Sequence, residues 1–144
     1  MAGSITELSK YRYERALEEL KNAKEVFDAG SYKLALNRSY YAIFHAMRAV
    51  NVLDEFDSSK HSGVIAHFNH YHVKTGDFEK NASKIIQNAM EMREHADYED
   101  FFVASKKDAE EQISRAELFL GYVKSFLMDK RIILDDVGVK SNPT

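Results

Sequence analysis

Residues 32–53, YKLALNRSYYAIFHAMRAVNVL, decide how the rest of the chain is arranged. Leu36, Tyr40, Ile43, Met47 and Val50 recur at helical spacing as one apolar stripe, and Leu34, Tyr41, Phe44 and Val52 widen it onto adjoining faces. A helix that is apolar most of the way round belongs at the centre of a domain or at an interface. Arg38 and His45, seven residues apart, are set into this core-like run. At about 3.6 residues per turn they project from one face, about 10 Å apart along the axis. The small residues Ala42 and Ala49 flank them and let a helix or a ligand approach. A guanidinium and an imidazole on one face can bind a phosphate and work on it.

The flanking sequence supplies the partner helices. Ser4 and Glu7 have the spacing of a capping box, and Leu8, Tyr11, Ala16, Leu17, Leu20, Ala23 and Phe27 predict an amphipathic helix over residues 5–29. Gly30 supplies a left-handed stop and Ser31 caps the next helix, so the first two helices should be antiparallel neighbours. A polar loop over 54–59 leads to a third, shorter helix over 60–71, capped by Ser58 or Ser59. Gly76 ends that region, and Asp77 is placed to cap a fourth helix carrying Phe78, Ala82, Ile85, Ile86, Ala89 and Met92. The acidic run 94–100 ends it, and Phe101, Phe102 and Val103 are expected to plug the end of the bundle. Ser105 with Asp108 caps a fifth helix reaching about residue 131, with Ala109, Ile113, Ala116, Phe119, Leu120, Val123 and Leu127 on its apolar stripe. The expectation is an all-α domain over residues 1–134, an up-and-down helical bundle of about five helices, followed by a flexible C-terminal tail over 135–144.

Composition agrees with this reading. A chain of 144 residues, 44% hydrophobic, can build one core, and a single proline with six glycines leaves long helices uninterrupted. The absence of cysteine removes disulfides, thiolate metal sites and cysteine nucleophiles. No apolar run approaches the ~18 residues of a membrane helix and no apolar signal core opens the chain, so a cytoplasmic protein with no membrane partner is expected. A net charge of −3 argues against coating nucleic acid through bulk electrostatics. Its distribution is uneven: residues 10–48 hold eight Lys/Arg against five Asp/Glu, and residues 49–104 hold five against ten. A polyanion would therefore meet the first two helices, if these charges are more than solvated faces.

Residues 35–46, ALNRSYYAIFHA, resemble the central helix of the HEPN domain family, in particular its small stand-alone prokaryotic members. Two further blocks are similar in the same order: Lys60-His61-Ser62-Gly63-Val64-Ile65 with Phe68, and Arg93 with Ala96-Asp97-Tyr98. The resemblance spans roughly residues 15–128. It implies a helical bundle, often a homodimer, and often a toxin or effector encoded beside a small nucleotidyltransferase. Many members are metal-independent ribonucleases whose motif is an Arg, four to six residues, and a His; Arg38 and His45 have six between them. Ser39 stands where active members usually carry Asn, Asp or His. Met47 stands where one toxin subgroup has a tyrosine that its partner adenylylates, so that chemistry does not carry over.

Arg38 and His45 are accordingly the expected catalytic residues, and Ser39, Tyr41, His61 and Arg93 the candidates for binding RNA or a nucleotide. In that reading neutral His45 takes the ribose 2′-OH proton and Arg38 stabilises the charge developing at phosphorus. The leaving 5′-oxygen needs an acid, which implies a composite site at a two-fold axis. The structural alternative is a buried pair in which Arg38 meets a carboxylate such as Asp97. Tyr41 could stack a base or serve as a core aromatic, and Arg93 with Asp97, at i and i+4, reads by default as an intrahelical ion pair. His67 and His70 share a helix face, but no H-E-x-x-H pattern accompanies them or His72, and neither a metal nor a cofactor is expected. Two competing functions are a non-catalytic nucleotide- or partner-binding module and a purely structural dimerisation domain.

Overall fold

The computed structural model describes residues 2–133, and among these the chain forms five α-helices and no strand. They are α1 (Ala2–Asp28), α2 (Tyr32–Asn51), α3 (His61–Phe68), α4 (Lys80–Tyr98) and α5 (Lys106–Asp129). A 3₁₀ turn (Val52–Asp54) follows α2, and a π-helical turn (Asn69–Val73) extends α3. None of these helices is long and apolar enough to cross a membrane.

α2 touches each of the other four α-helices, as its nearly all-round apolar surface requires. Leu36, Tyr40, Ile43, Met47 and Val50 are each fully buried, as are Ala35, Ala42, Ala46 and Ala49. Burying such a large side chain is worth about 1.5–3 kcal/mol, so this stripe is the centre of the core. The small residues are where neighbours come close. Ser9 Oγ of α1 donates to the Ala49 carbonyl at 2.6 Å, which identifies Ala49 as a helix contact. The pairings Ser9 with Ala49 and Glu19 with Arg38 run in opposite directions along the two chains, so α1 and α2 are antiparallel.

The reversal between them is set by Gly30 at φ +85°, where the Ser31 N–H reaches the Val26 carbonyl and the Gly30 N–H the Phe27 carbonyl. Ser31 precedes α2 as expected, but its hydroxyl makes no capping bond. The Ser105 cap does form, accepting from the Asp108 N–H at 3.0 Å. α5 ends at Asp129 with the same pair of reversed bonds, Arg131 taking the left-handed position at φ +60°.

Several local expectations are corrected. α1 already includes Ala2, so Ser4 lies inside the helix instead of capping it: helix propagation adds one hydrogen bond per residue and nothing in Ala2 or Gly3 stops it. Asp77 does not cap α4, which begins at Lys80, because its carboxylate is held by His72 Nδ1 at 3.1 Å. Phe101 and Val103 do not plug the bundle: they are 95% and 83% exposed, and Phe102 alone of the three packs on the core, its ring stacked over His95. The third helix does not continue as α-helix to residue 71 but turns π-helical at Asn69. The tail expected over 135–144 lies outside the described residues.

Candidate functional site

α1 and α2 meet along two complementary rows. On α2, Arg38, Tyr41, His45 and Arg48 fall at i, i+3, i+7 and i+10; on α1, Arg12, Arg15 and Glu19 fall at i, i+3 and i+7. The antiparallel pairing brings the rows together around an open cleft of about 530 Å³, whose far side is formed by Ser58, Ser59 and His61. Arg38 and His45 therefore share one face, as their spacing requires, and both line this cleft.

His45 is half-buried, and its pKa is pushed down to about 4, first by loss of solvation and then by the guanidinium groups of Arg15, Arg48 and Arg12; Glu19 opposes this. The imidazole is therefore neutral at pH 7 and able to accept a proton. Around it stand four guanidinium groups, Arg12, Arg15, Arg38 and Arg48, and two carboxylates, Glu19 and Asp57. They leave a net of two positive charges. Asp57, on the loop after α2, joins Arg12 at 2.9 Å to Arg48 at 3.1 Å and so fixes that loop over the helix pair.

Arg38 pairs with Glu19 at 3.2 Å and with the Asn37 carbonyl oxygen of the side chain at 2.6 Å, not with Asp97. Asp97 is taken by Arg93 at 3.3 Å, the intrahelical pair expected of i, i+4. Glu19 is almost fully buried and also faces Arg15 at 3.9 Å, so it holds the two guanidinium groups at the mouth of the cleft. About a third of the Arg38 side chain remains exposed, which leaves donors for an anion.

The remaining candidates separate into two groups. Tyr41 and His61 line the cleft: the Tyr41 ring lies edge-on to His61 at 5.8 Å, with the Arg38 guanidinium 5.7 Å from its centroid. His61 packs on Phe44 at 4.2 Å, and its Nδ1 meets the Tyr40 hydroxyl at 2.9 Å and Arg93 Nη1 at 3.5 Å. A guanidinium only donates, so this Nδ1 accepts and the neutral ring carries its proton on Nε2. Its pKa is lowered by burial and then by Arg93 and Arg48, in keeping with that state. Arg93 does not line the cleft: it contacts His61 and lies over the Tyr40 and Tyr41 rings at 5.1 and 5.7 Å.

Ser39 faces away from the cleft and is fully buried. Its hydroxyl donates to the Ala35 carbonyl at 2.7 Å and accepts from Gln112 Nε2 of α5 at 2.7 Å, so it joins two helices. One residue of offset from Arg38 turns a helical side chain by about 100°, which is enough to carry it from cleft to core.

Arg12, Arg15, Glu19, Arg48 and Asp57 join the candidate site, Arg15, Glu19 and Arg48 as lining residues and Arg12 and Asp57 through the ion pairs that Asp57 makes with Arg12 and Arg48, and none of the five stands out in the sequence. The i, i+3, i+7 spacing on α1 carried a signal for the first three. Asp57 had none, because its role depends on where a loop folds.

The HEPN domain family model matches residues 9–126, which include every residue of the cleft. Among curated relatives, the chain is 28% identical over 134 residues to the Methanocaldococcus jannaschii protein named "Putative toxin MJ0142", covering 88% of this chain and 91% of that one. It is 35% identical over 116 residues to "Putative toxin MJ0605" of the same organism, covering 81% and 86%. It is 33% identical over 120 residues to a "UPF0332 protein" of Thermotoga maritima, covering 83% and 91%. With its helices, its Arg-x6-His face and these matches along most of its length, the chain belongs to the HEPN domain family.

Proposed function

We propose that this protein is an RNA-acting HEPN effector, a metal-independent endoribonuclease serving as the toxin of a pair whose other member is a small nucleotidyltransferase. The observation that carries the reading is the neutral imidazole of His45 in an arginine-rimmed cleft, on one face with Arg38. The names of the Methanocaldococcus jannaschii relatives support the toxin role.

In the proposed reaction the 2′-oxygen of RNA attacks the adjacent phosphorus while His45 takes its proton. Arg38 and Arg15 donate to the non-bridging oxygens, whose charge grows in the transition state. The P–O5′ bond breaks, and the 5′-oxygen takes a proton from the imidazolium of a second copy across a two-fold axis, leaving a 2′,3′-cyclic phosphate. A pKa of about 4 makes free His45 a weak base. A bound phosphodiester adds negative charge beside both copies of the ring and raises that pKa toward neutrality, so that one copy can carry the proton it gives to the 5′-oxygen while the other is neutral.

The test is cleavage of end-labelled RNA in chelator by wild type, Arg38→Ala and His45→Ala, with oligomeric state measured alongside. Loss of at least about 100-fold in rate in both variants is expected from removing a general base or a charge stabiliser. Equal rates in all three proteins would remove these residues from the chemistry. A second reading, a non-catalytic nucleotide- or partner-binding module, is favoured by the Arg38–Glu19 pair, which already occupies one side of the guanidinium. It predicts nucleotide binding without cleavage.

A further inference from the structure

On the other side of the loop after α2, Asp54, His67 and His72 converge. The Nε2 atoms of both imidazoles meet one carboxylate oxygen, Asp54 Oδ2, at 2.9 Å for His67 and 2.6 Å for His72. His72 is 95% buried, ringed by Phe68, Phe78 and Phe126, and its Nδ1 is held by Asp77 at 3.1 Å. His67 lies flat on Phe56, with ring centroids 4.1 Å apart.

The π-helical turn creates this convergence. In a regular α-helix residues five apart point about 140° away from each other. The wider turn over Asn69–Val73, closed by the Lys74 N–H on the Asn69 carbonyl, rotates His72 back onto the side of His67. Such turns are rare and are concentrated at functional sites. Helix spacing alone pairs His67 with His70 and offers no carboxylate in an H-E-x-x-H arrangement; the structure pairs His67 with His72 and brings the carboxylate from the 3₁₀ turn, while His70 is exposed.

The donor atoms converge as a cation site requires. Both ring nitrogens of His72 face carboxylates, Nδ1 at 3.1 Å from Asp77 and Nε2 at 2.6 Å from Asp54 Oδ2. Two imidazole nitrogens aimed at one carboxylate oxygen form a donor set that a divalent cation can occupy. We propose that Asp54, His67 and His72 bind a divalent transition-metal ion, with Zn²⁺ the best match to two imidazoles and one carboxylate. The three donor atoms lie within 4.8 Å of one another. Tetrahedral Zn²⁺ bonds of about 2.0–2.1 Å require the Nε2–Oδ2 separations, 2.9 and 2.6 Å here, to open to about 3.3 Å, and three protein ligands leave a fourth position for water on the open side of Asp54. Asp77 is the outer carboxylate that orients a ligating histidine. The ion ties the turn after α2 to α3 at the foot of the loop that carries Asp57 and Ser58 to the cleft, a structural role separate from the RNA chemistry proposed above.

The test is isothermal titration of the tag-free, chelator-treated full chain with ZnCl₂, together with the visible absorption of the Co²⁺ form. The expected result is one Zn²⁺ per chain and a tetrahedral Co²⁺ spectrum. His67→Gln and Asp54→Asn should each weaken binding by about 100-fold or more, Asp77→Asn by about 10–100-fold, and His70→Gln not at all. His67→Gln is the informative variant because His67, unlike His72, makes no contact with Asp77, and circular dichroism reports whether it stays folded. Wild type binding no more tightly than His67→Gln, or an equal loss in His70→Gln, overturns the proposal and leaves a hydrogen-bonded cluster without an ion.

Discussion

Acid should weaken this protein through His45, and the size of the effect follows from the cleft. Burial and three guanidinium groups lower the imidazole from its ordinary 6.5 to about 4. Between these values the unfolded chain binds a proton that the folded chain refuses, so stability rises with pH through this window. The contribution is fully present above about pH 6.5 and is lost as pH falls toward 4. At about 1.4 kcal/mol per tenfold change in proton affinity the whole drop corresponds to about 3 kcal/mol. The ring still touches solvent, which screens the arginines, and about 2 kcal/mol is the discounted value. The assay is urea unfolding of wild type and His45→Asn at pH 7 and pH 4.5. Other titrating groups, His61 among them, cancel in the difference between the two proteins. Wild type should lose about 2 kcal/mol more than the variant on acidification. Parallel losses, or a His45 pKa measured above 6 by NMR, would refute the assignment of burial and arginine charge as the cause.

Two further outcomes test the frame that holds the cleft. Gly30→Ala should cost about 1–2 kcal/mol in urea unfolding, all of it backbone strain at φ +85°, since an added Cβ meets no atom within 4 Å. Gln112→Ala removes the buried donor to the Leu36 carbonyl and the Ser39 hydroxyl and should cost about 1–3 kcal/mol; a loss under about 0.5 kcal/mol would mean water replaces the amide.

The corrections share a physical origin. Gly30 and the Ser105 cap were legible because each is settled by a few neighbouring residues: a left-handed backbone site admits glycine most readily, and a hydroxyl caps the amide three positions on. Ser4 and Asp77 carry the same local signals and fail. The first is overridden by continued helix growth, the second by a stronger partner, His72. Phe101 and Val103 are apolar yet exposed because burial depends on which way a connection leaves the bundle, and composition carries no direction. In the candidate site, the shared face of Arg38 and His45 follows from helix period alone. That Ser39 lies on the core side follows from it too, but the family pattern pointed the other way.

The sequence by itself determined an all-α chain, the central place of α2, the turn at Gly30 and the Arg38/His45 face, because periodicity and backbone preference act within a few residues. Only the tertiary structure decided what charges surround His45, that Glu19 and not Asp97 holds Arg38, and that Asp57 bridges two helices. It alone decided that a π-helical turn brings His67 and His72 onto Asp54. Each of these pairs residues far apart in the chain or depends on a local rotation of the helix, and electrostatic fields follow distance in space, to which sequence spacing is blind beyond a helical turn or two.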